Sequence, residues 1–369
     1  MNTLTLTTSQ EPTILTNTSN RLEIVDALRG FTLLGIILLH SMHAYSSHAL
    51  ELSNLDELLS TKIEDFISKK FYSIFSFLFG WSFAIQIKSA LKKGQSFTHQ
   101  MICRLVVLFA IGYVHYLIFP GDVIRSYAVL GLLLILCHKW SDKQLLIFSF
   151  ILFTLNIFTN YYLEVYKGHE SLERLMESVG HIIPLPRLFT ISSLFVLGLF
   201  VGRKNIFIDT PENRALFNKL LIISTTGVVI MFAAKKMMPK SDTSLFTVAS
   251  TYLRYTFLSL FYFSLIVVLN RIQLFQKALQ TIVPIGKISL TAYITQSIFI
   301  AIVFNYLLAS VEGIGLLTVL SISLIFYTVQ LIFARYWLSK FKFGPLEWLL
   351  RTLTSRLSSA TKASSIKPA

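Results

Sequence analysis

Three ionisable residues sit inside one long apolar stretch near the start of the chain. Residues 24–46 read IVDALRGFTLLGIILLHSMHAYS and carry Asp26, Arg29 and His40. A helix advances about 100° per residue, so eleven steps from Arg29 to His40 return to nearly one face, about 16 Å along the axis. Asp26 lies one turn before Arg29 on that stripe. Ionisable groups in a membrane helix cost several kcal/mol unless they face protein or a wet cavity, so the stripe reads as the lining of a site. A guanidinium at one end suits a phosphate or carboxylate. A neutral imidazole at the other takes a proton from a hydroxyl or amine. Asp26 either orients Arg29 or caps the helix start. His43, nearly one turn beyond His40, reads as interfacial.

A second constellation is His115, Asp122 and Arg125 in HYLIFPGDVIRSYA. Pro120-Gly121 marks a tight turn there, which would carry His115 and Asp122 to the His40 end of the bundle. Two readings stay open. Asp122 polarises His115 as in an acid–base dyad, or it caps the next helix and pairs with Arg125 while His115 bonds a carbonyl. Lys287, beside Pro284 and Gly286, is a candidate for ligand phosphates or for headgroup anchoring. Arg254 reads as a snorkelling residue, and Glu347 as the i,i+4 partner of Arg351. There is no HExxH, cysteine pair or His/carboxylate cluster at ligand spacing, so no metal is expected. No P-loop or GxGxxG implies nucleotide hydrolysis.

The elements that must position these residues are helices in a bilayer. Of 369 residues 54% are hydrophobic and 14% charged, against about 25% charged in soluble domains. The mean hydropathy is +0.64. The fold class is therefore an all-α polytopic membrane protein with the lipid bilayer as its environment. Measured against about 20 residues per crossing, the apolar runs give about ten transmembrane helices, near 24–46, 70–90, 102–119, 122–138, 143–163, 187–203, 216–236, 247–269, 283–307 and 314–337. A net charge of +14 would point to nucleic acid in a soluble protein. Here the basic residues cluster in short loops and the tail, which the positive-inside rule explains, and no nucleic-acid partner is expected. That rule makes both termini cytoplasmic, with Lys235, Lys236 and Lys240 dissenting on the outer side.

Two outer loops, near 52–66 and 172–179, have helical amphipathic spacing and read as short helices on the interface or packed on the bundle. The basic segment after Leu338, with Trp348, suits the cytoplasmic headgroup level. Residues 1–20 and 358–369 are polar and expected to be disordered. Cys103 and Cys137 fall in or beside apolar runs, so no disulfide framework is expected.

The stretches DALRGFTLLGII, FYSIFSFLFGWSFAI, GYVHYLIFPGDVIRSYAVLGLLL, LFVLGLFVGR, GKISLTAYITQS and FGPLEWLLRTLT follow one another along residues 21–355. In this order the chain resembles the bacterial DUF418 (YeiB-like) membrane proteins. These are grouped with the acyltransferase-3 and heparan glucosaminide N-acetyltransferase-like proteins. The resemblance implies a multi-pass protein of the bacterial cytoplasmic (inner) membrane, divided into an acyltransferase-like region over 21–205 and a DUF418-like region over 206–357. It implies transfer of an acyl group, most simply acetyl, from acyl-CoA to a hydroxyl or amine of a sugar, envelope or secreted metabolite. In the acyltransferase-3 pattern Arg29 and His40 match an Arg-x10-His pair and Asp26 the aspartate before it. His40 would then be the base and Arg29 its partner in the acyl-CoA channel. A small-molecule transporter and a non-catalytic membrane partner subunit are the rival readings; the Pro120-Gly121 and Pro284-Gly286 interruptions suit the former.

Overall fold

Why the chain forms so many uninterrupted helices is plain from its apolar runs and their caps. The structure is a computed structural model that describes residues 11–48, 53–92, 97–170, 174, 184–239, 242–304 and 314–365. Among the described residues it is all helical: α1 (Glu11–His48), α2 (Asn54–Phe66), α3 (Lys70–Lys92), α4 (Phe97–Ile118), α5 (Ile124–Cys137), α6 (Asp142–Val165), α7 (Leu185–Arg203), α8 (Pro211–Met237), α9 (Leu245–Leu269), α10 (Gln273–Lys287), α11 (Ser289–Ile302), α12 (Leu316–Lys340) and α13 (Pro345–Ser365). Serines before α2 and α6 open them with capping boxes, Ser53 with Asp56 and Ser141 with Gln144. Thr210 caps α8, followed by Pro211, a residue preorganised for the first helical turn.

Eight stretches are long and apolar enough to cross a membrane. The pair α10 and α11, bent by 80° at Ile288, is long and apolar enough when its two helices are taken together. The run expected at 122–138 yields only α5. Its 14 residues reach about 21 Å at 1.5 Å each, less than a 30 Å hydrocarbon core, yet α5 still returns the chain to the start of α4, where the His138 ring lies 5.6 Å from Phe97. The Pro-Gly turn takes its first residues and Ser141 already opens α6, so the apolar run exceeds the helix it makes.

Two packing relationships fix the bundle. α3 and α7 meet backbone to backbone: a Cβ on Gly80 would lie 2.1 Å from the Phe195 carbonyl oxygen, and one on Gly198 2.1 Å from that of Phe77. Small residues in such places let membrane helices approach closely. α1 lies among α3, α10, α11 and α12, with Leu33, Ile37, Phe71, Ile285 and Ala292 in one buried cluster. Tyr327 of α12 donates to the Gly30 carbonyl at 2.9 Å. A buried amide pair, Gln296 Nε2 to Gln330 Oε1 at 2.9 Å, ties α11 to α12.

Several sequence expectations change. Residues 273–282, read as loop, belong to α10, which buries Val283, Ile285 and Gly286. α1 already begins at Glu11, because an extending helix gains a hydrogen bond per added residue while nucleation is already met. At the other end α13 runs to Ser365, well into the tail expected to be disordered. Its packing on α4 supplies the cause: Thr354 is buried, and Ser358 Oγ lies 3.2 Å from His99 Nδ1. α2 packs on the bundle through Asp56 and Ile63 while Leu55 and Leu58 stay exposed. Asp56 also accepts from the Leu316 N–H at 2.7 Å, so it caps α12 as well as its own helix. The amphipathic stretch at 172–179 lies outside the described residues, apart from Arg174. Glu347 does not serve Arg351; it accepts from the backbone of Leu290 and Thr291 at 2.7 and 3.2 Å and caps α11. Arg254 is buried and bonded to Asp65 at 2.8 Å rather than snorkelling. The dissenting Lys235 binds the same carboxylate at 2.5 Å.

Candidate functional site

α4 ends, the chain turns at Phe119–Asp122, and α5 begins. The turn is closed by Phe119 N–H to His115 O at 2.9 Å and Asp122 N–H to Phe119 O at 3.1 Å. It aims the Asp122 carboxylate back at α4. Asp122 Oδ1 accepts from His115 Nδ1 at 2.8 Å and from Ile124 N–H at 3.0 Å; Oδ2 accepts from Arg125 N–H at 3.0 Å. Arg125 Nε stands 3.6 Å from Oδ2, and its guanidinium lies 3.4 Å over the Tyr116 ring. Asp122 thus both accepts at the start of α5 and holds the histidine, whose Nδ1 bonds this carboxylate and not the carbonyl expected in the second reading.

The consequence is a defined tautomer. An ionised carboxylate only accepts, so Nδ1 carries the imidazole proton and Nε2 keeps the lone pair. Nε2 is buried and has no hydrogen-bond partner among the described residues. The His115 ring centre is 5.5 Å from Tyr293 and 6.0 Å from Phe119. His40 approaches the same two rings, 5.2 Å from Phe119 and 6.2 Å from Tyr293. The structure therefore brings His40, His115 and Asp122 around one aromatic pair. His43 stands apart, 3.0 Å from Glu64 at an exposed position.

Asp26, Arg29 and Lys287 meet at the other end. Arg29 Nη1 donates to Asp26 Oδ1 at 3.0 Å, and Nη2 donates to Ser82 Oγ of α3. Asp26 orients Arg29; the capping alternative falls because α1 starts at Glu11. A Cβ on Gly286 would stand 1.8 Å from the Asp26 carbonyl oxygen, so only glycine lets α10 lie so close to α1. Next to it, exposed Lys287 acts electrostatically on Asp26.

Sequence reading missed Arg104, Tyr293 and Ser82. Arg104 is half-buried on α4, within the electrostatic reach of Arg29, Arg351 and Glu347. The signal for it was present: Arg104 and His115 repeat on α4 the eleven-residue step of Arg29 and His40 on α1. The two helices run parallel, arginine beside arginine and histidine beside histidine. Tyr293 carried no such mark, because its placement depends on the bend before α11.

A cavity of about 280 Å³ opens elsewhere at the Arg29 end, lined by Glu23, Asp209, Asn213, Arg271 and Gln276 among others, and includes none of these six residues. It occupies another face of α1. Among the described residues no group of three histidine, cysteine or carboxylate side chains is placed to hold a metal.

Residues 21–176 match the family described as heparan-alpha-glucosaminide N-acetyltransferase, catalytic, and residues 201–357 match the protein of unknown function family DUF418. An uncharacterized 39.9 kDa protein in the amylase 3' region of Bacillus acidopullulyticus is 29% identical over 350 residues, covering 90% of this chain and 94% of that one. The uncharacterized protein YxaH of Bacillus subtilis (strain 168) is 26% identical over 402 residues, covering 94% and 96%. All six candidate residues but Lys287 fall in the segment matched to the N-acetyltransferase family, and Lys287 falls in the DUF418 segment. The chain is a multi-pass helical membrane protein whose C-terminal segment is similar to the DUF418 family and whose N-terminal segment is similar to the heparan-alpha-glucosaminide N-acetyltransferase catalytic family.

Proposed function

We propose that the chain is a membrane acyltransferase, moving an acyl group, most simply acetyl, from acyl-CoA to a hydroxyl or amine of a sugar, envelope or secreted metabolite. The observation that carries this reading is the His115–Asp122 pair, with its unpartnered Nε2 beside His40. In this reading the acceptor hands its proton to His115 Nε2 as its oxygen or nitrogen bonds the thioester carbonyl. The carbon–sulfur bond breaks, and the imidazolium returns the proton to sulfur. Asp122 holds the ring and balances its transient charge. His40 moves from sole base to second histidine, facing the same aromatic pair.

The fit of the donor rests on the Arg29 end. Arg104 has no hydrogen bond or ion pair among the described residues, although a guanidinium carries five donors. With Arg29 and Lys287 it suits the phosphates of CoA, which supplies the activated thioester. We place the Arg29 end and both termini in the cytoplasm, in a bacterial inner membrane. About 16 Å separates Arg29 from His40 along α1, so donor phosphates and reacting acyl group would lie toward opposite faces.

The test is transfer of labelled acetyl from acetyl-CoA to an envelope extract by membranes containing the full chain. The label is expected in the extract, and lost with His115→Gln while CoA still binds. Full transfer by a folded His115→Gln chain would overturn the reading. The 80° bend between α10 and α11 favours a transporter as second reading; solute flux in proteoliposomes without acyl donor would establish it.

A further inference from the structure

The His40 end holds more positive charge than its ion pairs use. Arg187, in the first turn of α7, is half-buried, and its side chain has no hydrogen bond or ion pair among the described residues. Its guanidinium is 6.0 Å from the Tyr72 ring centre. Its charge acts on His40 and Tyr293 of the site and also on Lys69. Lys69 sits in the joint between α2 and α3 with φ at 64°, the left-handed region that side chains rarely adopt. Such strain persists only where the surroundings enforce it, and it gathers at ligand sites. Lys69 Nζ is 3.4 Å from the Tyr252 hydroxyl and 5.1 Å from the ring centres of both Tyr252 and Tyr255.

The carboxylates nearby are engaged. Asp65 already serves Lys235 and Arg254, and Glu64 bonds His43. Glu164 reaches Lys69 only from an exposed position. Lys70 is fully buried, and its ammonium turns to the Glu64 carbonyl at 2.7 Å and the Tyr255 face at 4.3 Å. Among the side chains named here, Lys69, Lys70, Lys235, Arg187 and Arg254 outnumber the carboxylates Glu64, Asp65 and Glu164 by two. Topology does not explain them, since the positive-inside rule puts surplus lysine and arginine at the opposite face in the orientation proposed above.

We propose that Arg187 and Lys69 form an anion subsite beside the two histidines, so the acceptor is a hydroxyl- or amine-bearing compound that also carries a carboxylate or phosphate. This inference rests on the transferase reading for the word acceptor, but the subsite stands on the charges alone. A guanidinium binds either anion in two-pronged fashion, and the ammonium adds a point charge. Tyrosine walls suit the carbon face of a sugar or polyol. The anion would hold the acceptor while one of its hydroxyl or amino groups faces His115 Nε2.

The experiment uses the full chain in nanodiscs of uncharged lipid and saturation-transfer NMR. The probes are D-glucuronate and glycerol 3-phosphate, each against its neutral counterpart, D-glucose or glycerol. At least one anion is expected to bind about tenfold more tightly than its counterpart. Arg187→Gln and Lys69→Gln should each weaken that binding about tenfold, and Arg187→Lys by less. Thermal melting shows which variants are folded. Equal binding of charged and neutral probes, no anion binding by the unmodified chain, or a folded Arg187→Gln chain that binds like it would each overturn the subsite. CoA binding is measured in the same nanodiscs. Anions bound without CoA would keep the subsite and end the transferase reading; CoA bound without anions would end the subsite alone.

Discussion

His115 and Asp122 are joined at 2.8 Å across the turn between α4 and α5, and both side chains are almost completely buried. The same carboxylate takes two backbone N–H groups at the start of α5. Helix initiation and imidazole orientation therefore depend on one residue, and the two roles separate by substitution. Asp122→Asn keeps an acceptor for the helix start but loses the charge that balances an imidazolium. Acyl transfer is expected to fall about 10²- to 10⁴-fold, with a smaller loss in melting than Asp122→Ala gives, since the amide oxygen replaces one of the two accepting carboxylate oxygens. Asp122→Ala should also lose about 1–3 kcal/mol of stability. Parallel activity assays and melts of the two variants check this.

The contact between Gly286 and Asp26 makes a packing prediction. A methyl at 286 would overlap the Asp26 carbonyl oxygen, so α10 must move away from α1 and Lys287 with it. Gly286→Ala should cost about 1–3 kcal/mol, as overpacking does. CoA binding should weaken in the same variant, measured by calorimetry beside thermal unfolding.

Glu347 crosses from α13 to the start of α11, accepting from Leu290, Thr291 and the Thr291 hydroxyl, the last at 2.7 Å. Glu347→Ala leaves those donors without their acceptor and should cost about 1–3 kcal/mol. Earlier proteolytic release of α13 is the expected readout. Arg351→Ala, which leaves the cap intact, should not reproduce it.

Acid should loosen the link between α7 and α8. Arg214 bonds Asp209 at 2.6 Å through Nε and holds its carboxyl below the ordinary value of 3.8. A carboxylate with a lowered folded value contributes stability above its unfolded value and loses it as pH falls through the folded one. Hydrogen exchange at residues 204–210 should therefore accelerate only below about pH 4, and Asp209→Asn should flatten that dependence. Both side chains are half exposed, so the effect is local.

Orientation is tested by labelling single cysteines on intact cells. Cys103 and Cys137 are buried and leave a low background. Lys236→Cys should react with an impermeant maleimide from outside, and Lys342→Cys only after permeabilisation. The reverse pattern would invert the proposed orientation.

How much of this was legible follows from distance along the chain. The Arg29–His40 stripe is a property of one helix, so its period alone revealed it. His115 and Asp122 are seven residues apart across a Pro-Gly turn, near enough for their meeting to be foreseen. Composition identified a helical membrane bundle, and apolar runs located the long helices. α5 came out shorter than the run expected at 122–138 because hydropathy counts apolar residues without seeing that turns consume them. Glu347 was misjudged and the capping role of Asp56 went unread for another reason: their partners, Leu290 and Leu316, lie far away in sequence. Local i,i+4 rules pointed Glu347 to Arg351 instead. Tyr293 and Arg187 depend on which helices pack together, which no local period encodes.

The most direct measurement is isothermal titration of CoA into the purified full chain in nanodiscs, repeated with Arg29→Gln and Asp122→Asn. The expected result is saturable binding, weakened about tenfold or more by Arg29→Gln and unchanged by Asp122→Asn, whose carboxylate belongs to the other end of α1. No binding of CoA by the folded, unmodified chain would contradict the assignment of donor and acid–base chemistry to the two ends of this helix.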